Sequence, residues 1–245
     1  MKCVVLAAGY ATRLYPLTEN FPKPLLAVGN KTILDHILDD LADTGVIDEY
    51  IIVSNHKFAD VFKEWIDAKD LPVMLIDDMT ESNETRLGAV RDIALAVEKI
   101  GANDDILFIG GDNLLDFSLS RFVSYINDKN TSCVMRYSEP SREKLKHFGV
   151  LEVDADDRVI GMTEKSPNPK TSWVCPPFYF YKKEDAALVF DALRDGCKTD
   201  APGSFVAWLC TRRPIHAMEM PGARYDIGDI ESYKEVRETY RSPKS

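Results

Sequence analysis

KCVVLAAGYATRLYPLT, residues 2–18, decides the fold. Lys2–Ala7 is short and almost wholly apolar, and Gly9 breaks it. Such a run reads as a strand buried on both faces, as parallel strands of an α/β sheet are. Three runs of the same texture follow, at Tyr50–Val53, Val73–Ile76 and Ile106–Ile109. Helical patterns separate them. Thr32–Thr44 opens with a Thr-x-x-Asp capping box at Thr32 and Asp35 and stops at Gly45. Phe58, Val61, Phe62, Trp65 and Ile66 repeat at helical spacing, as do Leu87, Val90, Ile93, Ala94 and Val97 before Gly101. Ser118 caps a further pattern carrying Leu119, Phe122, Val123 and Ile126. Alternating β and α elements predict a doubly wound, mostly parallel, Rossmann-like α/β sheet flanked by helices.

Beyond Thr131 the strand candidates crowd together, at 131–138, 149–153, 158–163 and 175–181. Asp154–Asp157 marks a turn and 166–177 is a Pro-containing loop, so the sheet is expected to continue in antiparallel or mixed fashion. Helical patterns return at 183–195 and 202–210, then a strand near 214–219 and a helix at 229–240. No linker, repeat or low-complexity tract interrupts the chain. It reads as a single domain over 1–245, with a change of texture at about residue 131.

The bulk numbers narrow the chemistry. A net charge of -10 on 245 residues argues against nucleic-acid binding, which needs basic surface. No run reaches transmembrane length and the first residues do not form a signal peptide, so no membrane partner is expected and the compartment expected is the cytoplasm. Cys3, Cys133, Cys175, Cys197 and Cys210 are scattered without CxxC spacing, which speaks against a zinc site. Dispersed histidines offer no nucleophilic triad.

The loop after the first strand carries the chemistry. Gly9-Tyr10-Ala11-Thr12-Arg13 leaves the strand at the end where open α/β sheets bind ligands, and backbone amides there approach phosphate closely. Arg13 can fork two phosphate oxygens, and Lys23 is a second cation fixed between Pro22 and Pro24. Taken singly, Gly9 is a turn and the two cations are solvated, but the combined string has no packing explanation. Both GxGxxG and GxxxxGK[ST] are absent. Asp112 follows the strand at Ile106–Ile109, and Asp226 lies in Tyr225-Asp226-Ile227-Gly228 before the final helical pattern. Each alone serves equally as a cap or turn residue. Asp154–Asp157 lacks the glycine and glutamate of a calcium loop and reads as a hairpin turn, while Asp77–Glu84 reads as a solvated acidic loop.

The string Leu6–Thr18 followed by Phe21-Pro22-Lys23-Pro24 resembles the sugar-1-phosphate nucleotidylyltransferase family, which includes glucose-1-phosphate thymidylyltransferases and mannose-1-phosphate guanylyltransferases. The resemblance implies the nucleotide-diphospho-sugar transferase type of fold. It also implies transfer of NMP from an NTP to a sugar 1-phosphate, with pyrophosphate released and Mg²⁺ as cofactor. By the same resemblance Leu6, Ala8, Gly9, Tyr10, Ala11, Thr12, Gly88 and Asp112 bind the nucleotide. Arg13, Lys23 and Lys165 are catalytic, Gly149, Glu164 and Lys165 hold the sugar phosphate, and Asp112 and Asp226 hold the metal. Glu164-Lys165 resembles the family's EK(P) motif with Ser166 in place of proline.

Ala11 stands where the family carries glycine, and Arg224 and Asp229 stand where tryptophan and threonine are common. Cys175-Pro176-Pro177 replaces a glycine-containing strand entry near the acceptor, and proline lacks the N–H that a hexose hydroxyl would read. Relaxed acceptor selectivity is therefore expected, as is the absence of the acyltransferase β-helix that some relatives carry. A glycosyltransferase would carry DxD where this chain has Gly111-Asp112-Asn113. The remaining alternatives are a cytidylyltransferase for a non-hexose phosphate such as phosphocholine, and a non-catalytic nucleotide sensor.

Overall fold

The computed structural model describes residues 1–241. Chain order begins β1 (Lys2–Leu6), β2 (Ala27–Val28), β3 (Lys31–Thr32), α1 (Ile33–Ala42), β4 (Glu49–Ser54), α2 (His56–Asp67) and β5 (Val73–Asp77). Next come α3 (Ala89–Ile100), β6 (Ile106–Gly110), β7 (Asn113–Leu115), α4 (Ser120–Lys129), β8 (Ser132–Ser138) and α5 (Arg142–Leu145). Then follow β9 (Gly149–Val153), β10 (Val159–Glu164), β11 (Trp173–Val174), β12 (Phe178–Tyr181), α6 (Lys183–Ala186) and α7 (Val189–Arg194). The order closes with α8 (Gly203–Leu209), β13 (Ile215–Glu219), β14 (Arg224–Asp226) and α9 (Ile230–Thr239). The fold class is the α/β sheet flanked by helices that the sequence predicts. Two compact units are distinguished: residues 1–86, 110–123 and those from 221 onward, and residues 87–109 with 124–220.

In the first unit β1, β4 and β5 pair in parallel. Their central residues, from Cys3 to Val5 and from Tyr50 to Val53, are excluded from solvent, as expected for strands covered on both faces. The capping box of α1 forms: the Thr32 hydroxyl accepts from the Asp35 N–H at 3.0 Å and Asp35 accepts from the Thr32 N–H at 2.9 Å. Asn55 caps α2 by accepting from the Phe58 N–H at 3.1 Å. Phe58 and Phe62 carry the buried stripe of α2, while Val61, Trp65 and Ile66 are half-buried. Asp229 caps α9, whose Tyr233 and Val236 pack with Tyr240, Leu14, Leu26, Ile33, Leu114 and Ile227. Burying a side chain such as Leu14 is worth about 1.5–3 kcal/mol, which pins the loop after β1 to this cluster.

In the second unit β8 pairs antiparallel with β11 and β12 and parallel with β13, the mixed arrangement expected beyond Thr131. The hairpin β9–β10 turns at Asp154, whose carboxylate accepts from the N–H groups of Asp156 and Arg158, both at 3.0 Å. That accounts for the acidic run without an ion. The strand expected at 175–181 starts only at Phe178, as β12, and the strand before it, β11, ends at Val174, because Pro176 and Pro177 have no N–H for a ladder. Likewise the helical pattern at 183–195 divides into α6 and α7. Among the described residues no helix is long and apolar enough to cross a membrane.

Candidate active site

β1 delivers the glycine loop to a cavity of about 180 Å³, lined by Leu6, Gly9, Ala11, Arg13, Lys23 and Asp112. Backbone bonds fix the approach: the Ala7 N–H donates to Val53 O at 2.9 Å, and buried Asn55 donates to Ala8 O at 3.1 Å. A Cβ at Gly9 would meet nothing within 4 Å, so the loop is open to a ligand there. Tyr10 turns the other way. Its side chain is buried, its ring lies 6.3 Å from that of Phe58, and its hydroxyl is 3.1 Å from Thr80 Oγ1. Only backbone is left at Tyr10 to face a nucleotide. Ala8 is also buried, and Thr12 is exposed.

Ala11 has φ 46° and ψ 42°, a left-handed conformation that costs a residue with a Cβ about 1–2 kcal/mol. Glycine, the resembled family's residue here, avoids that cost. Thr18 offsets it by donating from Oγ1 to Ala11 O at 2.8 Å, and the Leu14 N–H donates to the same oxygen at 2.9 Å. Arg13 is exposed and makes no hydrogen bond or ion pair among the described residues.

Lys23 sits on a short turn between its two prolines, and its Nζ lies 2.6 Å from Asp112 Oδ2. The Lys23 side chain is 9% exposed and that of Asp112 42%, so the ammonium is enclosed while the carboxylate looks into open space. Gly111 allows this approach: a Cβ there would lie 2.9 Å from Val5 and 3.1 Å from Pro24. Desolvation pushes the Asp112 carboxyl up, but the charge and hydrogen bond of Lys23, followed by Arg224, outweigh it and hold it below the usual aspartate range. Asp226 reaches the same neighbourhood by register, since β14 pairs antiparallel with β7 and sets Asp226 opposite Asn113. Ile227 and Gly228, the next two residues, line the cavity.

The second unit gathers the acceptor-side residues. Gly149 and Glu164 are register partners across β9 and β10. A Cβ at Gly149 would lie 2.8 Å from Glu164 Oε1, and one at Gly203 only 2.1 Å, so two glycines make the slot for this carboxylate. Burial raises the Glu164 carboxyl, Lys165 opposes that shift and Asp200 adds to it. Lys165 takes φ 49°, its N–H donates to Phe148 O at 3.0 Å, and its Nζ lies 3.2 Å from Asp200 Oδ2. Glu164, Lys165, Ser166, Lys198 and Trp208 line a cavity of about 560 Å³. Gly88 starts α3 at φ 90°, where a Cβ would lie 2.6 Å from Thr199 O, so packing alone accounts for its being glycine.

Several of these residues were not singled out in the sequence. Asn55 carries a signal, a cap residue between an apolar strand and a helical stripe. Thr18 lies inside the quoted string with no local sign of its role. Gly203 and Asp200 meet Glu164 and Lys165 only through tertiary packing. The acidic stretch at Asp77–Glu84 is not wholly solvated: Asp78 and Thr80 are buried, and Thr80 donates from both N–H and hydroxyl to Asp78 Oδ1 at 2.7 Å.

Magnesium, implied by the resemblance, takes hard oxygen donors. Asp112 and the register-placed Asp226 offer two carboxylates, each matched here by a cation, Lys23 and Arg224. No group of three or more His, Cys, Asp or Glu that could hold a metal occurs among the described residues. Two carboxylates suit Mg²⁺ when substrate phosphates and water complete its shell, so the donor set fits.

Comparison with known proteins identifies relatives of the chain. The chain is 30% identical over 191 residues to the bifunctional protein GlmU of Methanocaldococcus jannaschii, covering 77% of this chain and 42% of that protein. It is 30% identical over 192 residues to glucose-1-phosphate thymidylyltransferase of Streptomyces antibioticus, covering 74% and 49%. A further relative, the UTP–glucose-1-phosphate uridylyltransferase AglF of Haloferax volcanii, is 26% identical and is matched over 97% of this chain and 96% of its own length. The chain thus spans about half the length of the first two relatives. Among solved structures, UDP-glucose pyrophosphorylase complexed with UDP-glucose superposes with a TM-score of 0.81 at 19% identity, covering 98% of this chain and 97% of that one. UDP-glucose pyrophosphorylase from Acinetobacter baumanii gives 0.78 at 18%, covering 96% and 91%. These two bear on the fold. The family model for nucleotidyl transferases matches residues 2–242, so the chain belongs to the nucleotidyl transferase family.

Proposed function

We propose that the protein is a cytoplasmic, Mg²⁺-dependent sugar-1-phosphate nucleotidylyltransferase, with a nucleotide-binding half over about 1–130 and a sugar-phosphate-binding half over about 131–245. The carrying observation is the first cavity, where an open glycine loop, unpaired Arg13 and the enclosed Lys23–Asp112 pair face one space. The names of the relatives and the EK pair in the second unit support the same reading.

An oxygen of the sugar 1-phosphate attacks the NTP α-phosphorus. A new P–O bond forms, the α–β bridging bond breaks, and pyrophosphate leaves with the electron pair. Two anions must meet, so the protein's task is charge neutralisation and alignment rather than proton transfer. Loop amides at Gly9–Thr12 and Arg13 hold the leaving phosphates, and Lys23 addresses the α-phosphate. Gly88 lies against the base. Lys165 binds the incoming phosphate, releasing Asp200, while Glu164 and the Gly149 backbone meet sugar hydroxyls. Asp112 and Asp226 would hold Mg²⁺, which when bound supplies Lewis-acid neutralisation of phosphate charge. The Pro176–Pro177 entry, without N–H donors, favours relaxed selection at one hexose hydroxyl.

Pyrophosphate release tests the proposal across the common NTPs with glucose, mannose and galactose 1-phosphates, heptose phosphate and phosphocholine. Turnover with hexose 1-phosphates is expected. NTP binding without turnover would leave a nucleotide sensor, and turnover with phosphocholine alone would make the protein a cytidylyltransferase of another class. Strong discrimination among the three hexoses would refute the relaxed acceptor.

A further inference from the structure

Arg224 has no part in the transfer just described, yet it is linked to both carboxylates assigned to the metal, to Asp226 directly and to Asp112 through Asn113. It shares a face of β14 with Asp226, two residues on, because side chains alternate along a strand. Its Nη2 lies 3.1 Å from Asp226 Oδ1, and its Nε donates to Asn113 Oδ1 at 2.8 Å. Asn113 in turn donates from Nδ2 to Asp112 Oδ1 at 3.2 Å and to Gly110 O at 2.8 Å. Arg224 is thus held in place by the residue that also holds Asp112. Its side chain is 12% exposed, against 49% for Asp226, so it is a fixed group rather than a mobile surface charge.

A guanidinium stays charged at any working pH. Held by Asn113 and Asp226, this charge repels a divalent cation arriving between Asp112 and Asp226. A nucleoside triphosphate changes the balance, because its phosphates add several negative charges beside the same cavity. Resting on the metal assignment above, we infer that Arg224 is a built-in countercharge that keeps the Asp112/Asp226 pair from retaining a divalent cation until an NTP is bound. Metal binding then follows nucleotide binding.

The test is Mn²⁺ binding to the full chain, with and without an α,β-methylene nucleoside triphosphate, read as loss of the free-ion EPR signal beyond that of a protein-free sample holding the same Mn²⁺ and analogue. Without nucleotide, Arg224→Gln should bind Mn²⁺ at least about tenfold more tightly than wild type, and Arg224→Lys should stay weak. With the analogue present, wild type should approach the affinity of Arg224→Gln. Arg224→Met, which keeps the apolar stem, replaces the glutamine variant should the latter fail to melt cooperatively. Equal or weaker nucleotide-free binding in the neutral variant overturns the inference. Failure of the metal assignment itself looks different: Asp112→Asn and Asp226→Asn would then leave Mn²⁺ binding with the analogue unchanged.

Discussion

Gly88 and Gly9 are both assigned to the nucleotide, and replacing each by alanine separates a glycine needed by the fold from one needed by a ligand. At Gly88 the backbone has φ 90° and ψ 149°, a region essentially confined to glycine and costing other residues about 1–3 kcal/mol. The added Cβ would lie 2.6 Å from Thr199 O and 2.9 Å from its carbonyl carbon, and neither backbone atom can rotate aside. Relief requires moving the 199–200 segment, which carries the 3.0 Å bond from the Val90 N–H to Thr199 O. Overpacking of this kind costs roughly 1–3 kcal/mol and a lost hydrogen bond about 1. Gly88→Ala should therefore lose about 3–7 kcal/mol, or roughly 6–28 °C in Tm for a chain this size. At Gly9 the methyl group enters open space, so stability should stay within about 0.5 kcal/mol of wild type while NTP affinity falls. Urea unfolding followed by tryptophan fluorescence, with nucleotide titration of each variant, reads both effects. A loss below about 1 kcal/mol in Gly88→Ala would refute the close approach to Thr199.

Asp112→Asn and Asp226→Asn should each cut turnover by orders of magnitude with the melting transition retained, measured at ordinary Mg²⁺; near wild-type rates in either would remove that aspartate from the metal site. Arg13→Ala should chiefly damage NTP use and Lys165→Ala acceptor use. Each removes a charge-assisted contact worth about 1.5–3 kcal/mol, one to two decades in kcat/KM, and an unchanged acceptor saturation curve in Lys165→Ala would dismiss its role. Because Lys23 lowers the folded Asp112 carboxyl, its contribution to stability is present above the unfolded value of about 3.9 and is lost as pH falls through the lower folded value. Lys23→Met should accordingly be least stable, relative to wild type, near neutrality. The gap should narrow in acid below about pH 4 in denaturation series, and a pH-independent gap would contradict the pairing.

The parallel strands and their helices were legible because apolar strands and striped helices leave clear signals at β1, β4, α1, α2 and α3; β5, expected to be buried on both faces, is an edge strand with only Ile76 buried. The glycine loop, Lys23, Asp112 and Asp226 were singled out by resemblance to a family's motifs and their order along the chain, and the structure gathers the glycine loop, Lys23 and Asp112 around one cavity. What escaped is contact without period. Strands as short as β7 and β14 leave no alternation to read, yet their register carries Asp226 to Asn113. The left-handed Ala11 is the physical counterpart of the one departure in the quoted loop. Gly203 gives no local sign that a carboxylate from a distant strand fills the space its missing side chain leaves.

The register of β14 against β7 also bears on when the site comes into being. Leu14 and Ala11 in the glycine loop pack against Tyr233, Val236 and Tyr240, and the hydroxyls of Tyr233 and Tyr240 donate to Ala27 O and Leu115 O. During synthesis the loop, Lys23 and Asp112 leave the ribosome long before their partners do. Joining segments so far apart in sequence is entropically slow. A nascent chain therefore carries Arg13 and Lys23 beside an uncovered apolar patch, and it lacks Ile227 and Gly228 of the cavity lining. The cavity lining is complete only when Ile227 and Gly228 are in place, so a chain ending before Pro221 should leave Leu14, Leu26 and Ile33 uncovered.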